Sequence, residues 1–231
     1  MACTFTYLGH SAVLLEAAGQ ALVIDPYLSE NPVATMKPKD LKVNYIVLTH
    51  GHEDHLGDTL AIAKANGAPV FAPFEVHQYL TKKGLKSSEK TAGNPGGKID
   101  APFGFVAFTP AIHSSSYEGQ YMGVACGVVV RIGDATIYHC GDTALFSDMK
   151  LIGELYKPDV ACVPIGDRFT MGPEHGAIAA EWIGAKVAVP VHYKTWPMLT
   201  QDVTRFKPKG VEVRELAVGE SMRIDPGLRL V

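Results

Sequence analysis

Short apolar runs separated by glycine-containing turns predict several strands in the first third of the chain. These runs are 5–8, 12–16, 21–24, 44–48 and 69–72. Between the fourth and fifth runs, a polar turn leads into a predicted helix over 59–65, and a second helix is predicted over 74–83. The polar stretch 84–98 contains Gly93-Asn94-Pro95-Gly96-Gly97 and predicts a surface excursion.

The same order of strands followed by strand–helix units returns in the second part of the chain. Strands are predicted at 104–109, 123–132, 135–138, 160–164, 187–191, 211–214 and 221–224, and a helix at 173–184. We therefore expect an α/β fold in which two sheets face each other with helices outside. The length of 231 residues fits a single domain over 1–231.

The most polar turn of the chain follows the predicted strand 44–48. Residues 49–58 hold three histidines and three carboxylates, although the whole chain has nine histidines in 231 residues. Neutral imidazoles and ionised carboxylates are ligands that suit Zn, Fe, Mn or Ni. The alternative, a polar turn that is rich in histidine by chance, is the weaker interpretation. His50, His52, Asp54 and His55 are therefore predicted metal ligands.

Four further polar residues each follow an apolar strand: Asp25, His113, Asp142 and His192. A single histidine or aspartate in such a place is more often a turn residue or a cap than a ligand. Four of them alongside the cluster favour additional ligands at one sheet edge.

Composition bears on the partners and the cellular location of the protein. The net charge of −3 argues against a broad nucleic-acid surface, and no apolar segment is long enough to cross a membrane. We expect a cytoplasmic protein because no signal peptide is visible, with four reduced cysteines and a small-molecule substrate. A homo-oligomer is compatible with the sequence.

The motifs carry a resemblance that covers nearly the whole chain. His50-Gly51-His52-Glu53-Asp54-His55, with His113, Asp142 and His192, resembles the metallo-β-lactamase superfamily. Leu8-Gly9-His10-Ser11 resembles the branch of N-acylphosphatidylethanolamine phospholipase D and the ascorbate-6-phosphate lactonases. The segments around Tyr138–Thr143, Pro164–Glu174 and Val191–Tyr193 are similar to the UPF0173 metal-dependent hydrolase family.

That resemblance implies a four-layer αβ/βα sandwich with two divalent ions at its open edge. One ion would be held by His50, His52 and His113, the other by Asp54, His55 and His192, and Asp142 would bridge both. Zn is the first expectation, with Mn, Ni or Fe as alternatives. A hydroxide shared by the ions would attack a small ester, lactone or phosphodiester, and Asp54 would orient it and take its proton.

Other residues are expected to support the site. The resemblance implies that Asp25 orients one of the metal ligands without binding the metal itself. His10 and His139 each fit two interpretations, a residue that supports the ligands or lines the pocket, and a structural histidine. His77 is predicted to lie on a solvated helix face. Lys194 stands where the family has glycine, and His175 stands where an acidic residue is usual.

Two cations follow predicted site-forming strands. If Arg168 and Lys194 flank the ions, they would hold a phosphate or carboxylate, and anionic substrates would be favoured. The alternative is that each is a solvated surface charge.

Two other functions fit the same fold. The first is an iron-dependent redox enzyme of the flavodiiron type, whose first motif is His-x-Glu-x-Asp-His, whereas this chain has His52 at the position of the glutamate. Such enzymes also carry a flavin-binding partner domain, for which no room is expected here. A metal-binding module without catalysis is the second, but no expected ligand is missing.

Overall fold

Residues 2–225 are described by a computed structural model, and they form sixteen strands and five α-helices. The strands are β1 (Cys3–Gly9), β2 (Ala12–Ala17), β3 (Gln20–Ile24), β4 (Tyr45–Val47), β5 (Val70–Pro73), β6 (Ala92–Gly93), β7 (Lys98–Ala101), β8 (Gly104–Pro110), β9 (Ser116–Tyr117), β10 (Gln120–Tyr121), β11 (Cys126–Ile132), β12 (Ala135–His139), β13 (Val160–Pro164), β14 (Val187–Val191), β15 (Glu212–Val213) and β16 (Ser221–Ile224). The helices are α1 (Glu53–Leu56), α2 (Thr59–Asn66), α3 (Phe74–Lys82), α4 (Met149–Tyr156) and α5 (Pro173–Ile183). Two 3-10 turns span Pro38–Asp40 and Glu89–Thr91.

Two seven-stranded mixed sheets are built in the same way. The first has the order β16-β1-β2-β3-β4-β5-β6 and the second the order β15-β14-β13-β12-β11-β8-β7. In each sheet the strands next to the antiparallel part run parallel to one another: β3 to β6 in the first and β12 to β15 in the second. Parallel strands end at the same edge, so residues that follow β3, β4, β12 and β14 are brought to one rim.

Alternation along the strands divides the core. In β2, Val13 and Leu15 belong to a cluster that joins the two sheets, whereas Leu14 belongs to a second cluster with residues of α2 and α3. This is the period of two expected for a sheet that is covered on both faces. Helices α4 and α5 pack beside each other, and a methyl group on Gly153 would clash with the Ile183 carbonyl. The predicted four-layer αβ/βα sandwich is confirmed.

Several local expectations are wrong. Helix α4 was missed, and the stretch 84–98, which lies largely at the surface as expected, also contains β6 and the first residue of β7. His77 was predicted to be solvated but is fully buried, because the segment after α3 folds over it and places Thr91 Oγ1 3.3 Å from His77 Nε2. No helix within residues 2–225 is long and apolar enough to span a bilayer.

Candidate metal centre

The predicted ligands come together at the rim where the parallel strands end. His50 and His52 lie on the connection after β4, Asp54 and His55 lie on α1, and His192 directly follows β14. The backbone is strained around them: His10, Asp25 and His192 have φ values of 56°, 46° and 55°. Left-handed conformations of non-glycine residues cost free energy and concentrate at functional sites. The strained backbone of the rim is therefore typical of a functional site.

Three histidines form the first group. His50 Nε2 and His52 Nδ1 are 2.9 Å apart, and the ring of His113 lies 5.0 Å from the ring of His52. One nitrogen from each of the three residues lies within 4.8 Å of the others. Three convergent imidazole nitrogens are a known ligand set for Zn and similar ions.

The second group surrounds Asp54. His55 Nε2 and His192 Nε2 lie 3.9 Å and 3.5 Å from Asp54 Oδ2. The same oxygen is 3.0 Å from His10 Nε2, and the four residues can offer ligand atoms that all lie within 4.8 Å of one another.

Asp142 lies between the two groups. Its Oδ1 is 3.3 Å from His55 Nε2, and its Oδ2 is 3.0 Å from His192 Nε2 and 3.6 Å from His113 Nε2. The carboxylate is buried and therefore presents both oxygens to the histidines rather than to solvent. One carboxylate with two oxygens can hold two cations at once.

Asp25 and Thr49 fix which nitrogen of two histidines is free. The ionised carboxylate of Asp25 only accepts, so Thr49 Oγ1 donates to Asp25 Oδ2 at 2.7 Å, and His55 Nδ1 donates to the same oxygen at 2.7 Å. Thr49 Oγ1 must then accept from His50 Nδ1 at 3.0 Å. The Nε2 lone pairs of His50 and His55 are thereby aimed at the cluster, as a bound metal requires.

Three buried side-chain atoms of the cluster lack a hydrogen-bond partner within the described residues, namely His55 Nε2, Asp142 Oδ1 and His192 Nδ1. The first two face each other at 3.3 Å. His55 donates its Nδ1–H to Asp25, so in the neutral imidazole both facing atoms are acceptors, an arrangement that calls for a cation between or beside them. The residues present therefore fit a divalent ion.

The charges of the cluster point in the same direction. Burial lowers the pKa of His50 well below its usual range, which keeps that imidazole neutral. Burial also acts on His55 and His192, but the negative charge of Asp142 prevails, raising the pKa of His55 and bringing that of His192 to about 9. Although burial opposes it, the His55 and His192 charges lower the pKa of Asp142. The site is built to hold positive charge.

His10 connects three parts of the rim. Its fully buried ring places Nδ1 2.8 Å from Thr195 Oγ1 and Nε2 3.0 Å from Asp54 Oδ2. Its carbonyl accepts from the backbone N–H of His192 at 2.8 Å. Burial lowers the pKa of His10 to about 4, so the ring is neutral and can donate from only one nitrogen. A Thr195 hydroxyl that donates to Nδ1 leaves Nε2–H to donate to Asp54.

His139 is held by backbone groups. Gly141 N–H donates to His139 Nδ1 at 3.1 Å, so the proton lies on Nε2, which donates to the carbonyl of Ser11 at 2.9 Å. Both nitrogens are satisfied, and burial lowers the pKa of the ring. His139 therefore shapes the turn that carries Asp142 rather than facing the cluster.

A cavity of about 330 Å³ opens over the cluster. It is lined by five predicted ligands and by five other residues: Tyr27, Glu53, Ser114, Phe169 and Trp196. Sequence reasoning missed the three aromatic residues. Phe169 lies within the 164–174 motif and Trp196 lies three residues after Tyr193, but only the folded loops bring their rings to the cavity.

The two cations expected beside the metals do not line this cavity. Lys194 Nζ pairs with Glu215 at 2.7 Å and borders a different cavity. Arg168 is exposed and lies over the Phe169 ring, 5.8 Å from its centroid, without lining the cavity. His175 is exposed on α5, away from the lining. A positively charged substrate clamp is therefore not formed by these residues.

The chain as a whole is similar to proteins of one class. Residues 20–193 match the family model of the beta-lactamase superfamily domain. A metallo-β-lactamase fold protein from Bacillus subtilis superposes with a TM-score of 0.73 at 16% identity, covering 96% of this chain and all of that one, which shows the shared fold.

More similar proteins narrow the class. Proteins described as UPF0173 metal-dependent hydrolases from Bacillus cereus and Anoxybacillus flavithermus are each 46% identical to this chain, over 95% of it and 99% of their own length. A metallo hydrolase from the archaeon Ignicoccus hospitalis is 37% identical, with a TM-score of 0.87 over 97% of this chain and 99% of that one. The chain therefore belongs to the UPF0173 metal-dependent hydrolase family of the metallo-β-lactamase superfamily.

Proposed function

We propose that this metal-dependent hydrolase uses two divalent ions, Zn foremost, to hydrolyse a small ester, lactone or phosphodiester. The observation that carries the proposal is the position of Asp142, whose two oxygens reach histidines of both ligand groups. His50, His52 and His113 would hold one ion, and Asp54, His55 and His192 the other. Bound there, the ions would polarise the scissile group and lower the pKa of a bound water to about 7.

The remaining chemistry belongs to the chain. Asp54 is one-fifth exposed, at 21%, and lines the cavity, so its carboxylate is placed to orient the attacking water and take its proton. Burial opposes ionisation, but the charge of His55 and the bond from His10 lower the pKa of Asp54, so the carboxylate is ionised and can accept a hydrogen bond from the attacking water. The aromatic rings around the mouth limit the access of bulk water.

Metal analysis and a substrate panel test this proposal together. Protein loaded with Zn, Mn, Ni or Fe should retain up to two ions per chain and hydrolyse at least one lactone, thioester, ester or phosphodiester. Asp142→Ala and His52→Ala should abolish turnover while the circular dichroism spectrum is kept, because the apolar core does not include the rim. A chain that holds no metal, or an Asp142→Ala variant with full turnover at matched metal content, would refute it.

A further inference from the structure

The walls of the cavity above the ligand cluster differ from its floor. The floor consists of predicted ligands, and the walls consist of three aromatic residues, one serine and one glutamate. Within residues 2–225, no lysine or arginine lines this cavity. A volume of about 330 Å³ suits a molecule with about one ring.

The aromatic walls present rings rather than hydrogen-bonding groups. Tyr27 donates its hydroxyl to the carbonyl of Glu30 at 2.6 Å, and burial with the nearby Asp54 and Glu53 charges raises the pKa of this phenol to about 12. Its neutral ring is what faces the cavity. Trp196 lies beside it, with ring centroids 6.3 Å apart, and packs on His10 at 4.9 Å. These rings form a fixed apolar surface.

Phe169 stands at the mouth and is half exposed, at 50%. A large aromatic side chain left open to water loses free energy that a bound apolar group would recover, since burial of apolar area contributes about 25 cal/mol per Å². Its position on the lining allows a planar group to lie against it while the reacting bond is at the floor.

Charge in the walls is negative. Glu53 is the charged lining residue outside the ligand cluster, and no Lys or Arg of the described chain lies within ion-pair distance of it. Lys194 pairs with Glu215 and borders a different cavity. A second negative charge, held against the walls and away from the metal ligands of the floor, would be repelled by Glu53.

We infer that the substrate is a small ester or lactone whose non-reacting end is uncharged, planar and apolar, held by Trp196, Tyr27 and Phe169. This deepens the proposed hydrolase function and rests on it. Water adds to the carbonyl carbon, the carbon–oxygen ester bond breaks, and the proton from water reaches the leaving oxygen, giving a carboxylic acid and an alcohol. The inference replaces the expectation of an anionic substrate.

Matched esters test the inference on the metal-loaded full chain. Phenyl acetate and 4-carboxyphenyl acetate share the reacting group and differ in a charge placed at the walls. We expect kcat/KM for the neutral ester to be higher by about tenfold or more. Trp196→Ala and Phe169→Ala should each lower it by roughly tenfold, mainly through KM, and Phe169→Ala covers the case in which loss of the half-buried Trp196 ring disturbs its loop.

Charge variants separate electrostatics from shape. Glu53→Gln should raise the ratio of kcat/KM for the carboxylated ester to that for phenyl acetate severalfold, whereas the matched control Lys194→Ala should leave this ratio unchanged. Equal kcat/KM for the two esters, or a loss on Lys194→Ala confined to the charged ester, would overturn the inference while leaving hydrolysis intact. Absence of turnover across every ester, lactone and phosphodiester would instead count against the proposed function.

A binding measurement tests the preference for an uncharged ligand without relying on turnover. The chain has two tryptophans, and Trp182 lies on α5 against Lys150, so Trp182→Phe leaves Trp196 as the reporter. Titration with benzyl alcohol should change Trp196 fluorescence at a concentration at least about tenfold lower than titration with benzenesulfonate. Tighter binding of benzenesulfonate would overturn the inference.

Discussion

At the scale of residues, hydrogen bonds to the ring nitrogens that point away from the cluster fix the orientation of the imidazoles. Asp25 and Thr49 accept hydrogen bonds from Nδ1–H of His55 and His50, and the ring of His10 is fixed between Thr195 and Asp54. Residue types and spacing could predict the histidines as ligands. They could not predict the tautomers, because these depend on hydrogen bonds to residues that are distant in the sequence.

Asp25→Asn tests the support behind His55. The asparagine amide cannot accept from all three donors, which are Thr49 N, Thr49 Oγ1 and His55 Nδ1. We expect metal affinity to fall about 10- to 100-fold, as for other residues that orient metal-bound histidines. Competition with a chromophoric chelator measures it, and Asp100→Asn, an exposed carboxylate, serves as the control. Unchanged affinity in Asp25→Asn would contradict this role.

His10→Gln and His10→Ala test whether His10 positions Asp54. Loss of the donor to Asp54 Oδ2 should weaken one of the ions by roughly tenfold in His10→Ala, and glutamine should restore part of the loss through its amide N–H. Thr195→Val should have a smaller effect in the same direction, since it removes the group that orients the ring. The idea fails if Co²⁺ titrations give identical affinities and absorption spectra for all four proteins.

At the scale of elements, the turn after β4 was the part most completely predicted. Its strand, its polar connection and the helix α2 follow directly from the local sequence. Helix α4 and the burial of His77 were missed for a physical reason. Gly153 weakens the local helix signal but allows α5 to pack closely, and His77 is buried by a segment whose own composition is polar.

Gly166→Ala tests the packing between the ends of β13 and β14. An added methyl group would clash with the carbonyl of His192 and lie 2.9 Å from its Nδ1. We expect a loss of about 1–3 kcal/mol in the free energy of unfolding and weaker metal binding, because His192 must move. Gly67→Ala, where the methyl meets no atom within 4 Å, should cost stability without changing metal binding. Denaturant titration and metal analysis distinguish the two; normal metal binding by Gly166→Ala would refute the explanation.

At the scale of the whole molecule, two sheets supply the core and the rim supplies the chemistry. The repeated order of strands could predict both the facing sheets and the edge at which the polar residues meet. The sequence could not show that Lys194 turns towards Glu215, because that depends on a partner 21 residues away. For this reason we infer a substrate with an uncharged non-reacting end, in place of the anionic substrate expected from the sequence.

Metal binding by the folded chain should depend on pH. An ion must displace protons from His55 and His192, and despite burial Asp142 raises the pKa of His192 to about 9. Protons therefore compete more strongly as the pH falls, and apparent affinity should drop roughly tenfold per pH unit for each proton displaced. Calorimetric titration with Zn²⁺ between about pH 6 and pH 8 measures this. Constant affinity over that range would show that no proton is displaced.

The same ions should stabilise the fold, since they bind the folded chain and not the unfolded one. Removal of metal by a chelator should lower the melting temperature, and this change should vanish in Asp142→Ala. A chelator effect of equal size in that variant would show that the stabilising ion lies elsewhere.

Anomalous X-ray diffraction from crystals of the zinc-loaded protein would locate the two proposed ions. We expect two peaks about 3.5–4 Å apart, the first about 2.0–2.2 Å from nitrogens of His50, His52 and His113, and the second near Asp54, His55 and His192. Asp142 should contact both peaks. A single peak at full zinc occupancy, or two peaks that Asp142 does not join, would contradict the two-ion proposal.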